Sequence, residues 1–292
     1  MAVGKISVIS ENGGFKRYIG VAPFVVEGVN LNKEELSALY GREVTNDPVY
    51  LSTVDVNGKQ VERVAITFYL STEINGEKEF FSARYSLTKA PQIGTQTGKY
   101  HVIDRFGRTA WVTEEELNTK SLPEKQRIDA SYRPMYGGNE EYLIRFFRAL
   151  LGVPSVEKWK RENGVNTYVG LIDDPESAVL CFDDINKFFA GDFTELRSMV
   201  KMTNNKVKFA VGIRRSDDNR VYHDLFINYP MPANSGNYAR LEKEIGDAQD
   251  NGAYANTTFE ICDLKEWVET PTDFSDSQST TPVAPPANPW FK

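Results

Sequence analysis

Soft metal ligands are scarce in this 292-residue chain: two cysteines, Cys181 and Cys262, and two histidines, His101 and His223, stand far apart. No C-x-x-C or H-x-x-x-H spacing occurs, so neither a structural zinc nor a disulfide framework is expected, and no cofactor is implied. Candidates for a nucleophilic thiol, an imidazole base or a catalytic zinc are correspondingly few, which tilts the chain away from enzyme chemistry. Long apolar runs are missing too. No stretch reaches the roughly 18–20 apolar residues of a membrane span, and Met1–Ser10 lacks the basic-then-apolar order of a secretory signal. A soluble protein that stays in the compartment where it is made, with no membrane partner, is expected. Positive charge is also in deficit: the net charge of -7 speaks by itself against a nucleic-acid partner.

What is present is a globular balance, 40% hydrophobic and 26% charged, with a mean hydropathy of -0.44 and enough apolar material for a core. The first ~110 residues read as strands. Arg17–Val29 is β-branched and aromatic; Val49–Val56 and Val61–Leu70 flank Asn57-Gly58, and Asn75-Gly76 precedes Phe80–Leu87. Asn-Gly supplies the two positive φ angles of a type I′ turn, so a meander of hairpins is predicted. Arg105-Phe106-Gly107-Arg108 marks a third reversal, between Tyr100–Ile103 and Thr109–Val112. Asn32 with Glu35, and Thr113 with Glu116, are capping boxes; Gly41 ends the first helix.

From Thr113 to Asn204 the texture is mainly helical. Tyr142, Leu143, Phe146, Phe147, Leu150 and Leu151 recur at helical spacing between a cap at Asn139 and a stop at Gly152 and Pro154. Ser155–Asn163, Asp183–Phe189 and Thr194–Met202 read as further helices, with short strands at Tyr168–Ile172 and Val179–Phe182. Strands resume at Val207–Arg214, Val221–Tyr229 and Thr257–Cys262, with a helix at Tyr238–Gln249. The expected fold is α+β, mainly β: one antiparallel OB-like barrel over residues 1–269, with a helical insertion at 113–204. Residues 270–292 read as a disordered, Pro-rich acidic tail, with five prolines between Pro271 and Lys292.

Two basic, acid-poor runs stand out against the negative total. Phe80–Trp111 carries net +4 with six interleaved aromatic residues, and Lys201–Arg215 carries +5 with no acid. Cations that follow phosphates, beside rings on which bases stack, are what single-strand binding requires. Phosphate contacts are expected from Arg84, Lys99, Arg105, Arg108, Lys206, Lys208, Arg214 and Arg215, and stacking from Tyr85, Tyr100, Phe106, Trp111 and Tyr222. Gly94–Tyr100 is one residue short of a phosphate loop and puts Tyr where a magnesium-binding Ser or Thr belongs, so it reads as a basic hairpin loop. The pairs Asp173-Asp174, Asp183-Asp184 and Asp217-Asp218 fall at turns or helix starts, where Asp caps amides. In the tail, Asp273 and Asp276 with Trp290 and Phe291 form an acidic, aromatic arm suited to docking on partner proteins.

Gly98–Val112 and Tyr132–Leu151 resemble segments of the replication-type single-stranded DNA-binding proteins of tailed bacteriophages, including crAss-like phages. Asp192–Val200, Lys208–Arg215, Val221–Tyr229 and Ala253–Cys262 are similar to later elements of that family, so the resemblance spans roughly Phe80–Trp267. It implies a non-enzymatic OB-fold protein that coats single strands during phage replication, recombination and repair in the cytoplasm of the infected host. Its tail would recruit replication and recombination proteins. The competing expectation is a virion-associated or scaffold-like interaction module, in which the aromatic residues are core and nucleic acid has no part.

Overall fold

Turn chemistry builds the first half of the molecule. The structure, a computed structural model, describes residues 16–91, 99–103, 109–118, 133–152, 157–162, 165–171, 185–202, 205–216, 220–236 and 238–268. Strand β1 (Tyr18–Val29) is followed by helix α1 (Lys33–Tyr40), then β2 (Leu51–Val56), β3 (Lys59–Ile74) and β4 (Glu77–Pro91). Asn57 and Gly58 have φ of 53° and 79°, and Asn75 and Gly76 of 54° and 80°, so both hairpins turn on the left-handed pair that Asn-Gly favours. α1 carries its capping box: Asn32 Oδ1 accepts from Glu35 N, and Glu35 Oε2 from Asn32 N, both at 2.8 Å.

The remaining strands are β5 (Lys99–Ile103), β6 (Thr109–Thr113), β7 (Arg133–Pro134), β8 (Tyr136–Gly138), β9 (Glu157–Glu162), β10 (Val165–Leu171), β11 (Lys206–Arg215), β12 (Val221–Leu225), β13 (Met231–Pro232), β14 (Thr257–Phe259) and β15 (Lys265–Glu266). Helices are α2 (Glu114–Asn118), α3 (Glu140–Leu151), α4 over 185–189, α5 (Thr194–Met202) and α6 (Ala239–Asp250). The main sheet runs β12-β11-β1-β3-β4-β8 and is antiparallel throughout, curled into a half-barrel. β3 gives one edge entirely to β4, and shares the other between β2 and β1. Asn30 fills the switch point. At φ 45° its amide donates to Ala65 O at 3.0 Å and accepts from Thr67 N at 2.7 Å, replacing the strand partner that β3 lacks there.

Alternation sends Phe24 and Val26, Ile66, Phe68 and Leu70, Ala83, Tyr85 and Leu87, and Val207, Phe209 and Val211 to one face of the sheet. α3 lies on that face and fills the curl. Phe146 stacks on Phe68 with centroids 3.9 Å apart and also meets Tyr85, Phe147 and Phe209. α4 and α5 complete the same core through Ile185, Phe188, Leu196 and Val200. On the other side of β1 and β11, Val21 and Ala210 pack with Phe226, Met231 and the α6 residues Leu241 and Ile245. Each buried Leu or Phe contributes roughly 1.5–3 kcal/mol.

Several expectations change. Ser155–Asn163 was expected to be helical; its described part, β9, is a strand paired antiparallel with β10. The stretch read as a helical insertion therefore includes a hairpin, and it returns β8 to the edge of the main sheet beside β4. Asn139 stands at the α3 N-cap, but its side chain accepts from Ser86 N at 3.2 Å instead of from its own helix. Val179–Phe182 and the tail beyond Val268 lie outside the described residues. Among the described residues no helix is long and apolar enough to cross a membrane.

Candidate nucleic-acid interface

The β5–β6 hairpin is the most exposed aromatic feature of the basic segment. Its register sets Lys99 opposite Thr113, Tyr100 opposite Val112 and His101 opposite Trp111. Val102 and Val112 are buried, and Ile103 packs with Met135 and the α3 residue Ile144, which anchors the hairpin to the body. Trp111 stays 38% exposed. Its ring lies on His101 with centroids 4.2 Å apart and planes 16° from parallel. Lys99 is within electrostatic reach of Glu116, whose carboxyl is held below its ordinary pKa by the Thr113 amide and hydroxyl that cap α2.

Burial pushes the His101 imidazole below its usual value, which favours the neutral ring under Trp111. The unfolded chain then binds the proton more readily. Hairpin stability is therefore full above the ordinary histidine pKa of about 6.5 and falls as the pH drops below it. Amide exchange at Trp111, corrected for intrinsic rates, should show less protection near about pH 5 than near neutrality. Equal protection at both would mean that His101 titrates normally.

The other expected contacts are scattered over both sides of the sheet. Tyr85 is a correction: it is 0% exposed in the main core, between Phe68 and Phe146, with its hydroxyl toward Ile227 O at 3.4 Å. Neighbours on a strand point to opposite faces, so Arg84 turns outward. There it donates to Val49 O at 3.2 Å beside the Tyr50 and Tyr69 hydroxyls. Arg214 is held by Asp224 at 2.7 Å and covers the Tyr222 ring at 5.0 Å, so each occupies the surface of the other. Lys208 is tethered to Ser235 O at 2.5 Å and lies over Tyr238. Arg215 is on the opposite face of β11, exposed, over the Trp267 ring at 5.5 Å. Lys206 is exposed at the start of β11, and Tyr100 is half-buried.

The structure thus brings together Lys99 and Trp111 on one face of a hairpin, with Tyr100 on its other face opposite buried Val112, and Arg214 with Tyr222 on another hairpin. Arg105, Phe106 and Arg108 fall between β5 and β6 in the sequence and lie outside the described residues, as do Asp273, Asp276, Trp290, Phe291 and the three aspartate pairs. Sequence reasoning missed two partners. His101 is recoverable by counting equally outward from the 104–108 turn, which puts it opposite Trp111. Arg63 is recoverable by counting back across Asn75-Gly76, which puts it on the face of Arg84. Among the described residues no three His, Cys, Asp or Glu side chains gather as a metal site. Comparison with protein-family models, curated proteins and solved structures finds no match to this chain.

Proposed function

We propose that this chain binds single-stranded DNA without strong sequence preference and without catalysis, on an OB-like barrel. The observation that carries the reading is the exposed Trp111, held flat on His101 by the hairpin that also presents Lys99 on the same face. A ring presented flat and partly open suits a base, because every base offers a π face, and each stacked base contributes about 1–3 kcal/mol. The sequence between these strands, Asp104-Arg105-Phe106-Gly107-Arg108, adds two cations and a further ring. Because α3 fills the curl, the strand would run along the hairpin and the outer face. The setting that goes with this reading is phage DNA replication, recombination and repair in the host cytoplasm, with Asp273, Asp276, Trp290 and Phe291 recruiting partner proteins.

A long dT oligonucleotide should quench tryptophan fluorescence at low salt, and added salt should reverse the quenching, with a log–log slope of roughly -0.7 per phosphate contact. Duplex of equal length should quench weakly. Trp111→Ala should lower oligonucleotide affinity roughly tenfold to hundredfold by anisotropy, from the loss of one stacked base, with the chain still folded and its Tm lowered only by the loss of the His101 stack. No quenching together with no gel shift would overturn the reading. The scaffold-like alternative draws on the burial of Tyr85 and the pairing of Arg214 with Asp224, and it requires that double-negative result.

A further inference from the structure

Three half-buried arginines of this chain are matched by carboxylates: Arg145 by Glu141 and Glu244, Arg197 by Glu35, and Arg214 by Asp224. Arg63 and Arg84 differ. Arg63 Nη2 donates to Ser86 Oγ at 3.3 Å and Arg84 Nη2 to Val49 O at 3.2 Å, and neither forms an ion pair among the described residues. A guanidinium carries five N–H donors, so most of both forks is left without an acceptor.

The register explains why the two groups share a surface. Ser52, Arg63 and Thr88 stand opposite one another on β2, β3 and β4, and Ser86 and Arg84 follow on the same face of β4. Alternate residues on a strand are about 7 Å apart, so Arg63, in reaching Ser86, brings its charge next to the Arg84 column. Burial and the Arg63 charge together push the Arg84 guanidinium below its ordinary value, as expected of two like charges in proximity. The far side of the patch is kept low by Gly137, paired with Thr88. A Cβ at Gly137 would fall 2.1 Å from Thr88 Oγ1, and that hydroxyl has no hydrogen bond among the described residues. Ser52 is exposed at the near side. The patch thus holds two guanidinium groups and a row of hydroxyl donors with no acid among them.

We propose that Arg63 and Arg84, with the hydroxyls of Ser86 and Thr88, form a seat for a phosphate group. Planar forks with free donors match tetrahedral oxyanions, and the phosphate would supply the negative charge that the fold withholds. The phosphate has two sources, the backbone of a single strand or a free phosphate ion. The seat deepens the single-strand reading, in which Arg84 is one contact, and rests on that reading only for the first source.

Thermal unfolding of the full chain in inorganic phosphate and in chloride at matched ionic strength tests it, using wild type, Arg63→Gln, Arg84→Gln and, as a charge control on α6, Lys243→Gln. Wild type and Lys243→Gln should gain a saturable rise in Tm in phosphate. Both arginine variants should lose that rise, while in chloride their Tm equals or exceeds that of wild type because one of two like charges is gone. If either variant does not fold, the other and Ser86→Ala carry the test. The salt dependence of dT oligonucleotide binding separates the sources. A slope reduced by about 0.7 in each arginine variant assigns the seat to the DNA backbone, with or without a response to free phosphate. A phosphate response lost in the variants, with oligonucleotide binding unaltered or absent, assigns it to free phosphate and removes Arg84 from the single-strand reading. A phosphate response that survives in both variants, with an unaltered slope, overturns the seat. So does no response at all with an unaltered slope.

Discussion

Phe146→Ala is expected to cost about 3–5 kcal/mol, a large share of the roughly 5–15 kcal/mol by which a domain is stable. Phe146 is 0% exposed and is an α3 residue of the main core. It meets Phe68 of β3, Tyr85 of β4 and Phe209 of β11, so one ring bridges three strands. Truncation removes the transfer energy of the ring and leaves a void that the sheet cannot close without uncurling. The denaturant midpoint, followed by far-UV circular dichroism, should fall by about a fifth or more with little change in slope. A shift under about 1 kcal/mol would mean that α3 does not hold the curl.

Gly138→Ala should be comparably damaging, for a reason of backbone rather than volume. Gly138 has φ +95°, and a Cβ there would lie 2.0 Å from the Ser86 carbonyl oxygen. That carbonyl accepts from Asn139 N at 2.8 Å, while Ser86 N donates to Asn139 Oδ1 at 3.2 Å. The two bonds clamp the start of α3 to β4, so the substitution pries the helix from the strand it packs on. Strain and overlap together amount to about 2–6 kcal/mol. Gly41→Ala is the comparison, since φ there is +62° with nothing within 4 Å, and it should cost only about 1 kcal/mol. Equal thermal shifts for the two variants would show that the clamp carries no weight.

Local chemistry made much of the fold legible. Asn57-Gly58 and Asn75-Gly76 fix their own turns, the Asn32–Glu35 and Thr113–Glu116 boxes fix helix starts, and the spacing from Tyr142 to Leu151 fixes α3. β9 was not legible, because Glu157-Lys158-Trp159-Lys160-Arg161-Glu162 consists largely of good helix formers and becomes strand only through pairing with β10. Alternation on β4 requires one of Arg84 and Tyr85 to face inward, but which one depends on α3, more than fifty residues away. Charge runs misled for a related reason. The +5 of Lys201–Arg215 is counted along the chain, whereas Arg214 is neutralised across the ladder by Asp224 of β12.

The position of β1 has a consequence for biosynthesis. β3, close in sequence, fills only the Val25–Val29 half of one edge; the Tyr18–Val21 half pairs with Cys262–Glu266, and the other edge waits for β11, where Gly20 faces Val211, about 190 residues downstream. At roughly 5–20 residues per second of elongation, that edge is without its partner for about 10–40 seconds after β1 leaves the ribosome. The nascent chain therefore passes through a long interval as an open-edged sheet. Strand edges in that condition recruit other strands, so the slow, aggregation-prone phase of this protein's life belongs to its synthesis, and it ends when β11 and then β15 have arrived.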